Sequence, residues 1–142
     1  MMTRDQANKM VQSFFRVHGV ESVGLNDKNL GGAAVGEAQI YFEYQPQRES
    51  LKCSALVYRF QAEPRPGIIE AFKLEEQSEP ANTGGGTVDY EPENKGLYLS
   101  REYLETVSEL DFAESLGELM KASRVYGDEV LDRVASKVFD VR

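Results

Sequence analysis

The sequence has one cysteine, one histidine and no apolar run near the ~20 residues that a membrane-spanning helix needs. A lone Cys53 cannot close an internal disulfide, which points to a reduced, cytoplasmic setting. A lone His18 leaves no His/Cys pair at ligand spacing, so no zinc site is expected. The opening stretch MMTRDQANKM lacks the apolar centre of a secretory signal. Basic residues are scarce in the middle of the chain. Residues 61–118 carry 14 acidic and 4 basic side chains, against 10 acidic and 12 basic in the remainder. The formal net charge of −8 favours solubility and repels polyanions. Nucleic acid and anionic membranes are therefore not expected as partners, and the acidic middle implies one acidic face. Repeats and long Pro/Gly/Ser linkers are also missing. The 142 residues read as one domain, 1–142, in which 123–142 can form a helical extension. A globule of this size buries about two-thirds of its unfolded surface, enough for a core without staples.

What is present is a clear succession of elements. Thr3 followed by Gln6 is a capping-box pattern, with Asp5 in the first turn. Ala7, Met10, Val11, Phe14, Phe15 and His18 then fall on one helical stripe that Gly19 ends. A β region follows, from residues 22–25 through the turn Asn26-Asp27-Lys28-Asn29 into the small residues 31–36. Ala38, Ile40, Phe42 and Tyr44 alternate with Gln39, Tyr41 and Glu43, giving a strand with one buried face, and residues 51–60 make a third strand. Short loops make these strands antiparallel neighbours. Beyond Pro64 and Pro66, Ile68, Ile69, Ala71 and Phe72 form a short helix that ends before Pro80. A glycine-rich loop over 81–86 leads to a hairpin of 87–90 with 97–103. Ser108 with Asp111 caps a last helix whose stripe runs from Phe112 to Val138. At about 30 residues it would be ~45 Å long. The globule should be only ~35–40 Å across. The helix therefore either breaks at Gly127 or projects, and a projecting stripe would favour self-association. The fold class is α+β, in the order α-β-β-β-α-β-β-α, with an antiparallel sheet packed with helices.

Chemistry-bearing residues do not assemble into a catalytic set. Cys53 alternates with Leu51 and Ala55 as a small hydrophobe would, and its only candidate base is His18. Gly84-Gly85-Gly86 follows a helix and opens a strand, the reverse of a phosphate loop. Asp89, Glu91 and Glu93 lack the loop glycine and distal glutamate of an EF-hand and read as an exposed hairpin tip. Neither a metal nor a cofactor is expected, and the chain is not expected to be an enzyme. Tyr41 falls on the strand face opposite Ile40 and Phe42. That face is either a peptide-binding or dimer surface or is covered by a second helical layer.

The element order resembles the class I chaperones of type III secretion systems, the Tir-chaperone fold. The local match runs from Ile68 to Leu116. Thr87-Val88-Asp89-Tyr90, Gly96-Leu97-Tyr98-Leu99 and Arg101 stand where the family has a strand, a turn with Pro and Gly, and a strand ending in a basic residue. Leu25-Asn26-Asp27 and Ile40-Tyr41-Phe42-Glu43 look like its first strands. The resemblance implies a homodimer that holds the N-terminal segment of a secreted or regulatory protein client in an extended state. It implies client contacts around Val11, Phe15, Ile40, Phe42 and Val57, and a dimer interface around Ile69, Phe72, Leu97 and Leu99. A regulatory or structural module of the same fold without an exported client, and a small-molecule-binding protein, are the alternative readings.

Overall fold

The computed structural model describes residues 1–21, 24–78 and 80–139, with the side chains of 80, 81 and 137–139 outside that description. Ser22 and Val23, assigned from sequence to the start of the β region, lie outside the described residues, as does the side chain of Val138. Helix α1 spans Arg4–Val17. Its capping box is complete: the Gln6 N–H donates to the Thr3 hydroxyl at 3.1 Å, and the Thr3 N–H donates to the Gln6 side chain at 2.9 Å. Strands β1 (Leu30–Val35), β2 (Ala38–Gln45) and β3 (Ser50–Arg59) form an antiparallel meander. Helix α2 (Ile68–Ser78) and a 3₁₀ turn (Pro80–Thr83) lead to β4 (Thr87–Glu91) and β5 (Gly96–Tyr103). The five strands pair antiparallel in the order β1-β2-β3-β5-β4. The architecture is α+β, with the element order expected from the sequence.

The core lies between one sheet face and the helices. Register puts Phe42, Cys53 and Arg101 in one cross-strand row, with Ile40, Ala55, Leu99 and Val88 in the next. Phe14 and Phe15 of α1 meet Phe42 edge-on at 5.7 and 5.6 Å between ring centroids. Phe112 of α3 (Glu109–Val125) meets Tyr103 at 5.2 Å. Edge-to-face pairs of this kind add about 0.5–1.5 kcal/mol each beyond their buried area.

The last helix neither breaks nor projects. After Val125 it passes through a five-residue π-helical turn, Tyr126–Val130, and continues as α4, Leu131–Phe139. Both junction residues, Tyr126 and Leu131, keep right-handed helical dihedrals. The stripe on α4 is covered by α2: Tyr126, Val130 and Val134 are buried, and Phe72 stacks on Tyr126 at 6.3 Å. Arg133 holds Glu75 with two hydrogen bonds of 3.0 and 2.9 Å. Self-association through a projecting stripe thus loses its premise. Gly127 has a different role. A Cβ there would stand 2.8 Å from the Val57 carbonyl oxygen, at the register irregularity between Leu56 and Tyr58 of β3. The π turn lies directly on that irregularity.

Candidate functional site

The residues considered for chemistry are kept apart by the fold. Cys53 is buried at the centre of the sheet, where burial pushes its thiol pKa well up and nearby Arg101 only partly opposes this. His18 caps α1 from an exposed position, tilted against the Phe14 ring with 4.5 Å between centroids. Gly84 and Gly85 have φ of +65° and +81°, and a Cβ on Gly84 would stand 2.5 Å from the Glu118 carbonyl oxygen. This loop is therefore built for close packing on α3. Asp89 is held by Lys52 at 2.7 Å. Among the described residues, no three His, Cys, Asp or Glu side chains converge to hold a metal ion.

The residues expected at a client surface lie elsewhere. Val11, Phe15, Ile40 and Phe42 are buried in the core, and Val57 is half-buried against it. Amphipathic spacing identified the apolar faces of α1 and β2, but those faces are directed at each other. The folded protomer thus offers no exposed side chain at four of these five positions. The expected interface residues divide similarly: Phe72, Leu97 and Leu99 are buried, while Ile69 is partly accessible. The exposed apolar side chains are others. Leu74 on α2 is 62% exposed. Val17 and Leu110 are 59% and 66% exposed, and each adjoins a member of the Arg16–Glu109 ion pair.

The opposite sheet face carries the polar and aromatic rows that sequence alternation assigned to it. Register places Leu30, Glu43, Lys52 and Glu102 in one row, and Gly32, Tyr41, Ser54, Ser100 and Thr87 in the next. The two grooves on this face are lined by strand and turn residues alone. Arg48 clamps Glu102 with bonds of 2.7 and 2.6 Å, and Ser50 adds a third at 2.8 Å. The Arg48 hydrogen bond holds the Glu102 carboxyl below its usual pKa. Tyr41 meets Tyr98 at right angles, 5.8 Å between centroids. The sheet margins differ. On β4 the Val88 N–H donates to the Glu76 carboxylate of α2 at 2.5 Å. Among the described residues, β1 pairs only with β2. Among those residues, too, no helix is long and apolar enough to cross a membrane.

The fold is that of type III secretion chaperones. Its solved counterparts include the ExsC–ExsE complex, at a TM-score of 0.72 and 13% identity over 91% of this chain and 96% of that one. The HopA1–SchA chaperone–effector complex matches at 0.66 and 12% identity, covering 88% and 95%. The ExoT–SpcS complex from Pseudomonas aeruginosa matches at 0.54 and 13% identity, covering 87% and 97%. No protein-family model matches the sequence, and neither does any curated protein.

Proposed function

We propose that this chain is a protein-binding chaperone or adaptor of the type III secretion kind. It acts as a cytoplasmic homodimer, without cofactor or catalysis, and holds the N-terminal segment of an exported client in an extended form. The observation that carries this reading is a fold shared along 91% of the chain with a solved complex of that architecture. Three features of the surface support it. Among the described residues, no helix covers one face of the sheet. The outer edge of β1 can accept a client strand through main-chain hydrogen bonds. Val17, Leu104, Val107 and Leu110 supply exposed apolar contacts near the start of α3. Pairing of protomers around α2 would use Leu74 and the accessible part of Ile69.

The test is light scattering on the purified chain, followed by co-expression with proteins encoded beside it. The expected results are twice the 15.9 kDa protomer mass and a stable complex in which a client's N-terminal segment resists proteolysis. A strict monomer that forms no such complex would sink the proposal.

A further inference from the structure

The helix-free sheet face is not a flat solvated surface. A groove of about 280 Å³ crosses it, to which every strand contributes, from Leu30 on β1 to Asp89 and Glu91 on β4. Ligand pockets usually start near 300 Å³. The groove is thus large enough for one or two side chains. Five strands at about 4.8 Å spacing make it ~19 Å long, the span of about six extended residues.

Glycines shape its walls. A Cβ on Gly32 would stand 3.0 Å from the Tyr41 ring, and one on Gly96 would stand 2.6 Å from the Tyr98 ring. Both rings therefore lie across positions that have no side chain. Their hydroxyls are already used: Tyr41 donates to Gln39 at 2.7 Å and Tyr98 to Asn94 at 3.2 Å. The half-buried Tyr41 ring thus offers the groove π surface without a free polar group, and Tyr98, 8% exposed, backs it as the floor.

The charge in the groove is unbalanced. Glu43, Asp89 and Glu91 face one cation, Lys52, which is committed to Asp89 at 2.7 Å. Among the described residues, the Glu43 carboxylate has no hydrogen-bond or ion-pair partner. Carboxylates beside tyrosine rings complement a planar cation, which can pair with the acid and lie on the aromatic face. A second copy of the chain would bring the same surplus of negative charge against itself, and a polyanion would be repelled.

We propose that this groove receives an extended client segment and reads arginines in it, with Glu43 at one end and Glu91 at the other as the carboxylate contacts and Tyr41 and Tyr98 as the aromatic wall between them. The inference rests on the client-binding reading and adds the chemistry of the client.

The experiment is an amide NMR titration of the full chain at physiological salt. The probe is a capped nine-residue Gly/Ser peptide with two arginines; its control is the same peptide with citrulline, which keeps the shape and loses the charge. Shifts should concentrate on Tyr41, Glu43, Ser54, Asp89 and Tyr98, and the citrulline peptide should bind at least ~10-fold more weakly, as loss of a cation–π contact and an ion pair implies. Glu43→Gln with Glu91→Gln, both exposed and outside the core, should weaken the arginine peptide about 10-fold as well. Equal binding of the two peptides overturns the proposal. So do shifts spread over the acidic residues of 61–118, or this face being protected by self-association in the free protein. A client complex whose footprint avoids the groove refutes this inference alone. A groove that binds arginine in a chain with no client refutes the chaperone reading alone.

Discussion

Two glycines in the last helix give the structure a test with opposite signs. Neither has a positive φ, so alanine fits the backbone at both. At an exposed interior helix position Gly→Ala stabilises by about 1 kcal/mol. Gly117 meets this condition, because a Cβ there has nothing within 4 Å. At Gly127 the same intrinsic gain is opposed by a Cβ placed 2.8 Å from the Val57 carbonyl oxygen, a backbone atom that cannot rotate away. Relieving that contact means moving β3 or the π turn, at an overpacking cost of about 1–3 kcal/mol. The expectation is a gain of ~1 kcal/mol for Gly117→Ala and a net loss of ~1 kcal/mol for Gly127→Ala. Their separation is then about 2 kcal/mol, or roughly 8 °C in melting temperature for a domain of this size. Urea unfolding followed by far-UV circular dichroism measures both, and equal m-values show that the unfolded states are comparable. If Gly127→Ala stabilised as much as Gly117→Ala, the packing of the π turn on β3 would be refuted.

Further expectations follow from single contacts. Phe72→Ala removes the ring stacked on Tyr126 and should cost about 3–5 kcal/mol of unfolding free energy, read from the urea midpoint. Ser108→Ala loses the hydroxyl that accepts the Asp111 N–H at 3.1 Å, and should cost ~1 kcal/mol in the same assay. Cys53 should not react with a thiol reagent at mildly alkaline pH until urea unfolds the chain, because burial raises its pKa and blocks access; rapid labelling of the native protein would contradict its place in the core. Glu102 has a folded pKa below its unfolded one, since Arg48 bonds its charged form. Its contribution is therefore present above the unfolded value and fades as pH falls through the folded one. The stability gap between wild type and Glu102→Gln should be constant at neutral pH and close on acidification.

The parts of the fold legible in sequence were those set by local chemistry. Thr3 and Gln6 announced α1, Ser108 and Asp111 announced α3, and period-2 alternation put Tyr41 opposite Ile40 and Phe42. What alternation does not reveal is which of two apolar surfaces covers the other. Spacing put Val11 and Phe15 on one helix stripe and Ile40 and Phe42 on a buried strand face, as the structure has them; it was the family resemblance that implied client contacts there, and long-range packing turns those faces toward one another. The path of the last helix was hidden for a related reason. A glycine near Gly127's position signals a break when only the helix is considered. Here it marks the approach of a distant strand, which no sequence window spanning α3 contains. The groove on the open face was half visible. Tyr41 and Asp89 were singled out separately, but only the register of β2, β3, β5 and β4 puts them on one surface, and Glu43 carried no signal of its own.

The unequal margins of the sheet bear on how growth of assemblies is limited. Strand addition propagates into fibrils when each newcomer exposes the template its successor needs. Here one margin is occupied: α2 lies along β4, and Glu76 takes up the Val88 N–H. Among the described residues β1 is the margin without a partner, and another copy joining there by its own β1 would close a two-fold pair whose outer margins are the two β4 strands beside α2. The molecule thus carries a chain terminator in its own fold. A sheet with one open margin and one covered margin favours closed pairs over open-ended strand addition.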